Sequence, residues 1–261
     1  MRRFALTPGR VILLLILFVI AATVGLLVNL PAAWAWSKIE AQLPTPLPMA
    51  KVEAVGGTVW DGVGLITLEI PGDAARQLRL SWDVGLVSLL TEGLGLGWRL
   101  ETRQSQLNGR LAIQSAGSAD LRLEGQIQLA EFADIARRNG LTLPGSITVN
   151  NLELGIVDEQ LKHARGIARW DGGPVAWNMG GQSGQAHYPP LVARLDEQEG
   201  GVSLNVVTEA ENKPLMDVQL SADGMATLTV RRRLAQTSGL DAGPGSPDET
   251  VFRIQQPLSG G

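Results

Sequence analysis

Two histidines, His163 and His187, are the only imidazoles in this chain of 261 residues. Neither has the company that imidazole chemistry needs. His163 sits in Leu161-Lys162-His163-Ala164-Arg165, with no second histidine or carboxylate at metal-ligand spacing, and reads as a solvent-facing strand or turn residue. His187-Tyr188-Pro189-Pro190 reads as a loop, because proline restricts the residue before it. Tyr188 is the only tyrosine, so this loop is either a binding tip or, more plainly, a structural turn. Asp61 and Asp171 each follow a tryptophan and precede a glycine. An acid/base pair would need the two brought together, whereas Asp-Gly is already explained as tight-turn chemistry. Arg231-Arg232-Arg233 can meet phosphate groups or simply end a strand in solvent. No Gly-x-Ser-x-Gly elbow, Walker A loop or strand-linked Gly-x-Gly-x-x-Gly occurs. The expectation is no catalytic residue, no metal ligand and no cofactor-binding residue.

What must position any other activity begins at the N-terminus. Val11 to Leu30 reads VILLLILFVIAATVGLLVNL, twenty residues without a charge, preceded by Arg2, Arg3 and Arg10. A helix of this length matches a hydrocarbon core of roughly 30 Å. The arginines keep residues 1–10 in the cytoplasm and send the rest across the membrane. Trp34 and Trp36 follow at the level where indoles settle in headgroups. A cleaved signal peptide, with Ala33-Trp34-Ala35 as its site, has a shorter apolar region. A buried core helix would be amphipathic, which this one is not.

From Pro31 onward the chain holds 19 basic and 26 acidic residues, a net charge of −7. That balance argues against nucleic acid as a partner. Cysteine is absent, which excludes thiol catalysis, thiolate metal sites and a lipid anchor on cysteine. An exported domain without disulfides must be held by burial of apolar side chains.

The body is expected to be mainly β: a single transmembrane helix, then an antiparallel, curved sheet domain of two related halves with one or two short helices. Residues 31–50 read as a juxtamembrane helix, with Pro31 in its first turn, and a Pro-rich spacer at 43–48. Residues 51–237 form the β domain, in which Leu78, Leu80, Trp82 and Leu94, Leu96, Trp98, Leu100 alternate with polar or glycine positions. A second series runs from Ile147 to Val230. One helix stands out at Leu129–Asn139, with Gly140 as its stop. Trp60-Asp61-Gly62 and Trp170-Asp171-Gly172 suggest an internal repeat. Residues 238–261 are rich in Gly, Pro and Ser and read as disordered, although Val251-Phe252-Arg253-Ile254 has the look of a short docking or edge strand.

The order of these elements resembles the N protein family of the bacterial type II secretion system. The similarity is carried by the anchor ending in Leu30-Pro31-Ala32, by Gly56-Gly57-Thr58-Val59-Trp60-Asp61-Gly62, by Leu80-Ser81-Trp82-Asp83 followed by a Leu-rich turn at 86–90, and by Leu96-Gly97-Trp98-Arg99-Leu100. The resemblance implies an inner-membrane accessory subunit, its main domain periplasmic, whose partners are other secretion components and which is not an enzyme. Gly57, Thr58, Trp60, Gly62, Trp82 and Trp98 are then motif residues with a structural role. Docking through exposed sheet edges is the first functional reading. A curved sheet whose apolar face holds or transfers lipid is the alternative; another small-molecule ligand is not expected.

Overall fold

The computed structural model describes residues 18, 21–23, 25–41, 50–69, 75–85, 93–115, 117–157, 160–179, 182–198, 201–221, 224–240 and 243–257. Most of the expected span at 11–30 lies outside the described residues, as do the spacer at 43–48 and the Leu-rich turn at 86–90. Residues 21–23 and 25–28 are helical and exposed. Among the described residues no helix is long and apolar enough to cross a membrane. The helix expected after Pro31 is present as α1 (Ala32–Glu40), which packs on the first strand.

Among the described residues sixteen strands follow. β1 (Ala50–Gly57), β2 (Asp61–Leu68), β3 (Arg76–Val84), β4 (Leu94–Glu101), β5 (Gln106–Ser115) and β6 (Ser118–Gln128) run as an antiparallel meander. A 3-10 turn (Leu129–Phe132) and α2 (Ala133–Arg138) occupy the predicted helix, and Gly140 leaves it at φ 70°. After β7 (Leu141–Thr142) come β8 (Ser146–Val157), β9 (Gln160–Trp170), β10 (Gly173–Met179) and β11 (Gln182–Tyr188). The chain ends through β12 (Leu191–Gln198), β13 (Gly201–Thr208), β14 (Pro214–Ser221), β15 (Met225–Arg231), α3 (Arg233–Thr237) and β16 (Thr250–Pro257).

Thirteen of these strands make one sheet, in sequence order except that β7, β10 and β11 form a separate three-stranded sheet. The two strand series are therefore continuous within one sheet. The Trp-Asp-Gly copies mark different events. The first closes the β1–β2 hairpin, and the second is where the chain leaves the large sheet at the end of β9. His187 and Tyr188, expected in a loop, instead lie in β11, where His187 pairs with Pro174; Pro189 and Pro190 end the strand because they cannot continue a ladder. The expected disordered tail is also corrected. Thr250–Pro257 adds to the sheet as its last strand, where β15 satisfies one row of its backbone groups.

Alternation sorts the large sheet into two chemically distinct faces. One register row crosses all thirteen strands: Val55, Gly64, Leu80, Leu100, Leu107, Gly125, Val149, Ala168, Ala193, Val206, Met216, Val230 and Phe252. Not one carries a polar side chain. A neighbouring row on the other face reads Arg79, Glu101, Gln106, Gln126, Thr148 and Arg169 across the central strands, and ends on Leu65 at one side and the buried Val192 and Val207 at the other. Each step of a sheet twists by about −20 to −25°, so thirteen strands cannot lie flat.

Large apolar side chains on the first face are half-buried along most of its width, although a closed sandwich would bury many of them fully. Among the described residues the only large side chain with essentially no exposure is Leu215. It lies on β14, where α3 packs.

Candidate functional site

The motif residues gather where the N-terminal helix meets the sheet. Gly57 ends β1 at φ 81°, a left-handed conformation that glycine alone adopts without strain. The turn it starts is closed by Thr58, whose N–H donates to the Asp61 carbonyl at 2.7 Å while its hydroxyl accepts from the Asp61 N–H at 3.0 Å. That turn projects Trp60 toward the helix, and its indole N–H donates to the Leu27 carbonyl at 2.7 Å. The last carbonyls of a helix lack the regular helical partner; the Leu27 carbonyl accepts the Leu30 N–H at 3.3 Å as well as this indole. The Val59 N–H donates to the Leu30 carbonyl at 3.0 Å, and Pro31 and Thr58 form an isolated bridge. Helix end and first hairpin are thus laced together by main chain and indole.

Trp82 and Trp98 face each other in register across β3 and β4. Each ring lies over a glycine of its outer neighbour. A Cβ on Gly62 would fall 2.3 Å from the Trp82 ring, and one on Gly109 would fall 2.2 Å from the Trp98 ring. Trp82 also donates its indole N–H to the Val59 carbonyl at 3.1 Å. Trp177 covers Gly184 in the small sheet the same way. Sequence reading treated Gly62 as a turn residue; the spacing that marks it as a seat for a ring is a cross-strand one, invisible along the chain.

The titratable residues are dispersed. His163 does gain carboxylates, though from neighbouring strands: Glu197 of β12 pairs with its Nδ1, and Glu153 of β8 lies 3.7 Å from its Nε2. Among the described residues no group of three or more His, Asp or Glu side chains is arranged to hold a metal ion. Asp171 accepts from the Ser146 hydroxyl and pairs with Arg169, which also bonds Glu209 at 2.8 Å. The Ser146 hydrogen bond, opposed by burial and then aided by Arg169, holds the Asp171 carboxyl below its ordinary range. Asp61 is far from it in the register, so the two aspartates are not a pair. Tyr188 tilts against Trp170 at 6.3 Å between ring centroids. A further cluster escaped sequence reading: burial pushes the Glu131 carboxyl up, but hydrogen bonds from Ser105, Thr102 and the Gln104 N–H outweigh it and hold the group low. It pins the β4–β5 turn to the 3-10 turn.

The triple arginine is occupied by the protein itself. Arg231 reaches Asp217 at 3.2 Å, Arg232 reaches Glu249 at 3.0 Å and Arg233 reaches Asp248 at 2.5 Å. Main-chain bonds from Arg232 and Arg233 to the Glu249 and Pro247 carbonyls, both 2.8 Å, complete the clasp. Its effect is to place β16 on the sheet edge. The other edge, β1, is packed by α1, whereas every residue of β16 is exposed.

The Arg233 hydrogen bond holds the Asp248 carboxyl below its ordinary value of 3.8. A depressed carboxylate lends stability that is complete above the unfolded value and is lost as pH falls through the folded one. Amide exchange of residues 250–257 should therefore accelerate selectively as pH drops below 3.8. Asp248→Asn should give the fast exchange already at neutral pH, and equal protection in both proteins would refute the clasp.

A family model described as type II secretion system (T2SS), protein N matches residues 48–251. No curated protein and no solved structure matches the chain.

Proposed function

Since the chain belongs to the family of type II secretion system protein N, an accessory component of that machine, we propose that it is an inner-membrane subunit acting by docking rather than catalysis. In this reading residues 11–30 span the inner membrane with the N-terminus cytoplasmic, and residues 37–261 work in the periplasm. The motif Gly57, Thr58, Trp60 and Gly62, with Trp82 and Trp98, serves as a structural joint that fixes the sheet to the anchor. Alkaline phosphatase fused after Lys38 should be active, and a mature protein beginning near Trp36 would sink the anchor.

The observation that supports docking is the outer edge of β16, which pairs with no strand among the described residues. A strand paired on one side presents a row of free N–H and C=O groups that can accept a strand from a partner. The pairs of Arg232 with Glu249 and Arg233 with Asp248 keep this edge in place without covering it.

A proline scan from Val251 to Gln256 tests the reading. Successive strand residues turn their N–H groups alternately toward β15 and toward the open edge, so the effects should alternate with period two. One parity should detach β16, as read by amide exchange. The other should leave the fold intact and abolish secretion of a type II substrate into the medium. Normal secretion throughout the second set would exclude edge docking. In the same assay His163→Ala and His187→Ala should secrete normally; loss in either with the fold preserved would overturn the non-enzymatic reading.

A further inference from the structure

We propose that the apolar face of the thirteen-stranded sheet is a trough for the acyl chains of membrane phospholipids. At about 4.8 Å per strand the face is roughly 58 Å wide, and strands of eight residues make it about 26 Å long. That is well beyond the few hundred Å² of contiguous apolar surface usual on a soluble monomer. The row from Val55 to Phe252 carries no hydrogen-bonding side chain. The opposite face, by contrast, is lined with paired charges such as Arg122 and Glu153.

The chemistry selects the occupant. A docked protein segment brings amide groups that must be paired when taken from water, and the row that crosses this face from Val55 to Phe252 offers no side chain to pair them. Acyl chains make no such demand. The route also fits, because the face starts at the hairpin that Trp60 and Val59 lace to the helix end. There Leu26 and Leu27 are 75% and 54% exposed, so the helix end tied to the sheet is itself apolar on its surface. The far end is equally open, with Phe252 and Ile254 about half exposed on β16. This inference rests on the faces of the sheet and is independent of docking at its edge.

The full chain in its own membrane provides the test. A benzophenone amino acid is placed in turn at Leu121, Leu204 and Leu228 on the apolar face. The matching set is Arg122, Asn205 and Thr227, each one residue away on the polar face. Cells are grown with radioactive phosphate so that phospholipids are labelled, and adducts are read after irradiation. The apolar set should carry labelled lipid several-fold above the polar set, including at Leu204 and Leu228 far from the helix in the strand order. Equal labelling of both faces, no lipid adduct at Leu204 and Leu228, or adducts there to a protein or a second copy would each overturn the proposal. Secretion is not the readout, so failure here leaves edge docking standing, and failure of edge docking leaves this result unaffected.

Discussion

Trp82→Ala is expected to destabilise the β domain by about 3–5 kcal/mol, the usual cost of truncating a packed large aromatic. Three things go together with the ring. The indole lies on Gly62, which has no side chain to fill the gap. Its register partner on β4, Trp98, turns its own ring the other way onto Gly109 and so does not fill the space left behind. The Trp82 indole also donates to the Val59 carbonyl at 3.1 Å, and that carbonyl belongs to the turn holding the helix end. A sheet with so few fully buried large side chains has little reserve against such a loss. Urea unfolding should show a lower midpoint with an unchanged slope, and the protein should fail to accumulate in cells. Normal melting with failed secretion would instead mark Trp82 as a contact residue.

The alternation that makes one face of this sheet apolar was legible along the chain, because period two is a local property. Leu78, Leu80 and Trp82 declare their face without knowledge of any partner. What pairs with what was not legible. β9 skips β10 and β11 to pair with β12, so the apparent boundary between two halves is an excursion from one sheet. Cross-strand chemistry is hidden for the same reason. Glu153 and Glu197 meet His163 from neighbouring strands, and Asp248 and Glu249 meet an arginine run across a connection. A signal for the last was present: the acidic pair Asp248-Glu249, one residue short of Val251-Phe252-Arg253-Ile254, matches the basic run that ends β15. Glycine and proline around it pointed to disorder, yet charge pairing and one row of strand bonds order the segment.

Two adjacent glycines give the sharpest trial of how the motif works, because geometry assigns them opposite outcomes. Gly56 lies within β1, where an added Cβ would meet only Val63 Cγ1 at 3.7 Å, an ordinary contact. Gly56→Ala should therefore be neutral, or stabilising by about 0.4–1 kcal/mol through the less flexible unfolded chain. Gly57 stands at φ 81°, and its Cβ would fall 2.5 Å from the Asp61 carbonyl oxygen, the acceptor that closes the turn. Gly57→Ala incurs the left-handed penalty of about 1–2 kcal/mol and must also displace backbone. The displaced turn is the one that aims Trp60 at Leu27 and Val59 at Leu30, so helix and sheet should uncouple. Amide exchange should show Val59 losing protection in Gly57→Ala and keeping it in Gly56→Ala. If both variants protect Val59 as the parent does, the lacing does not depend on the Gly57 turn, and the structural joint assigned to this motif is wrong.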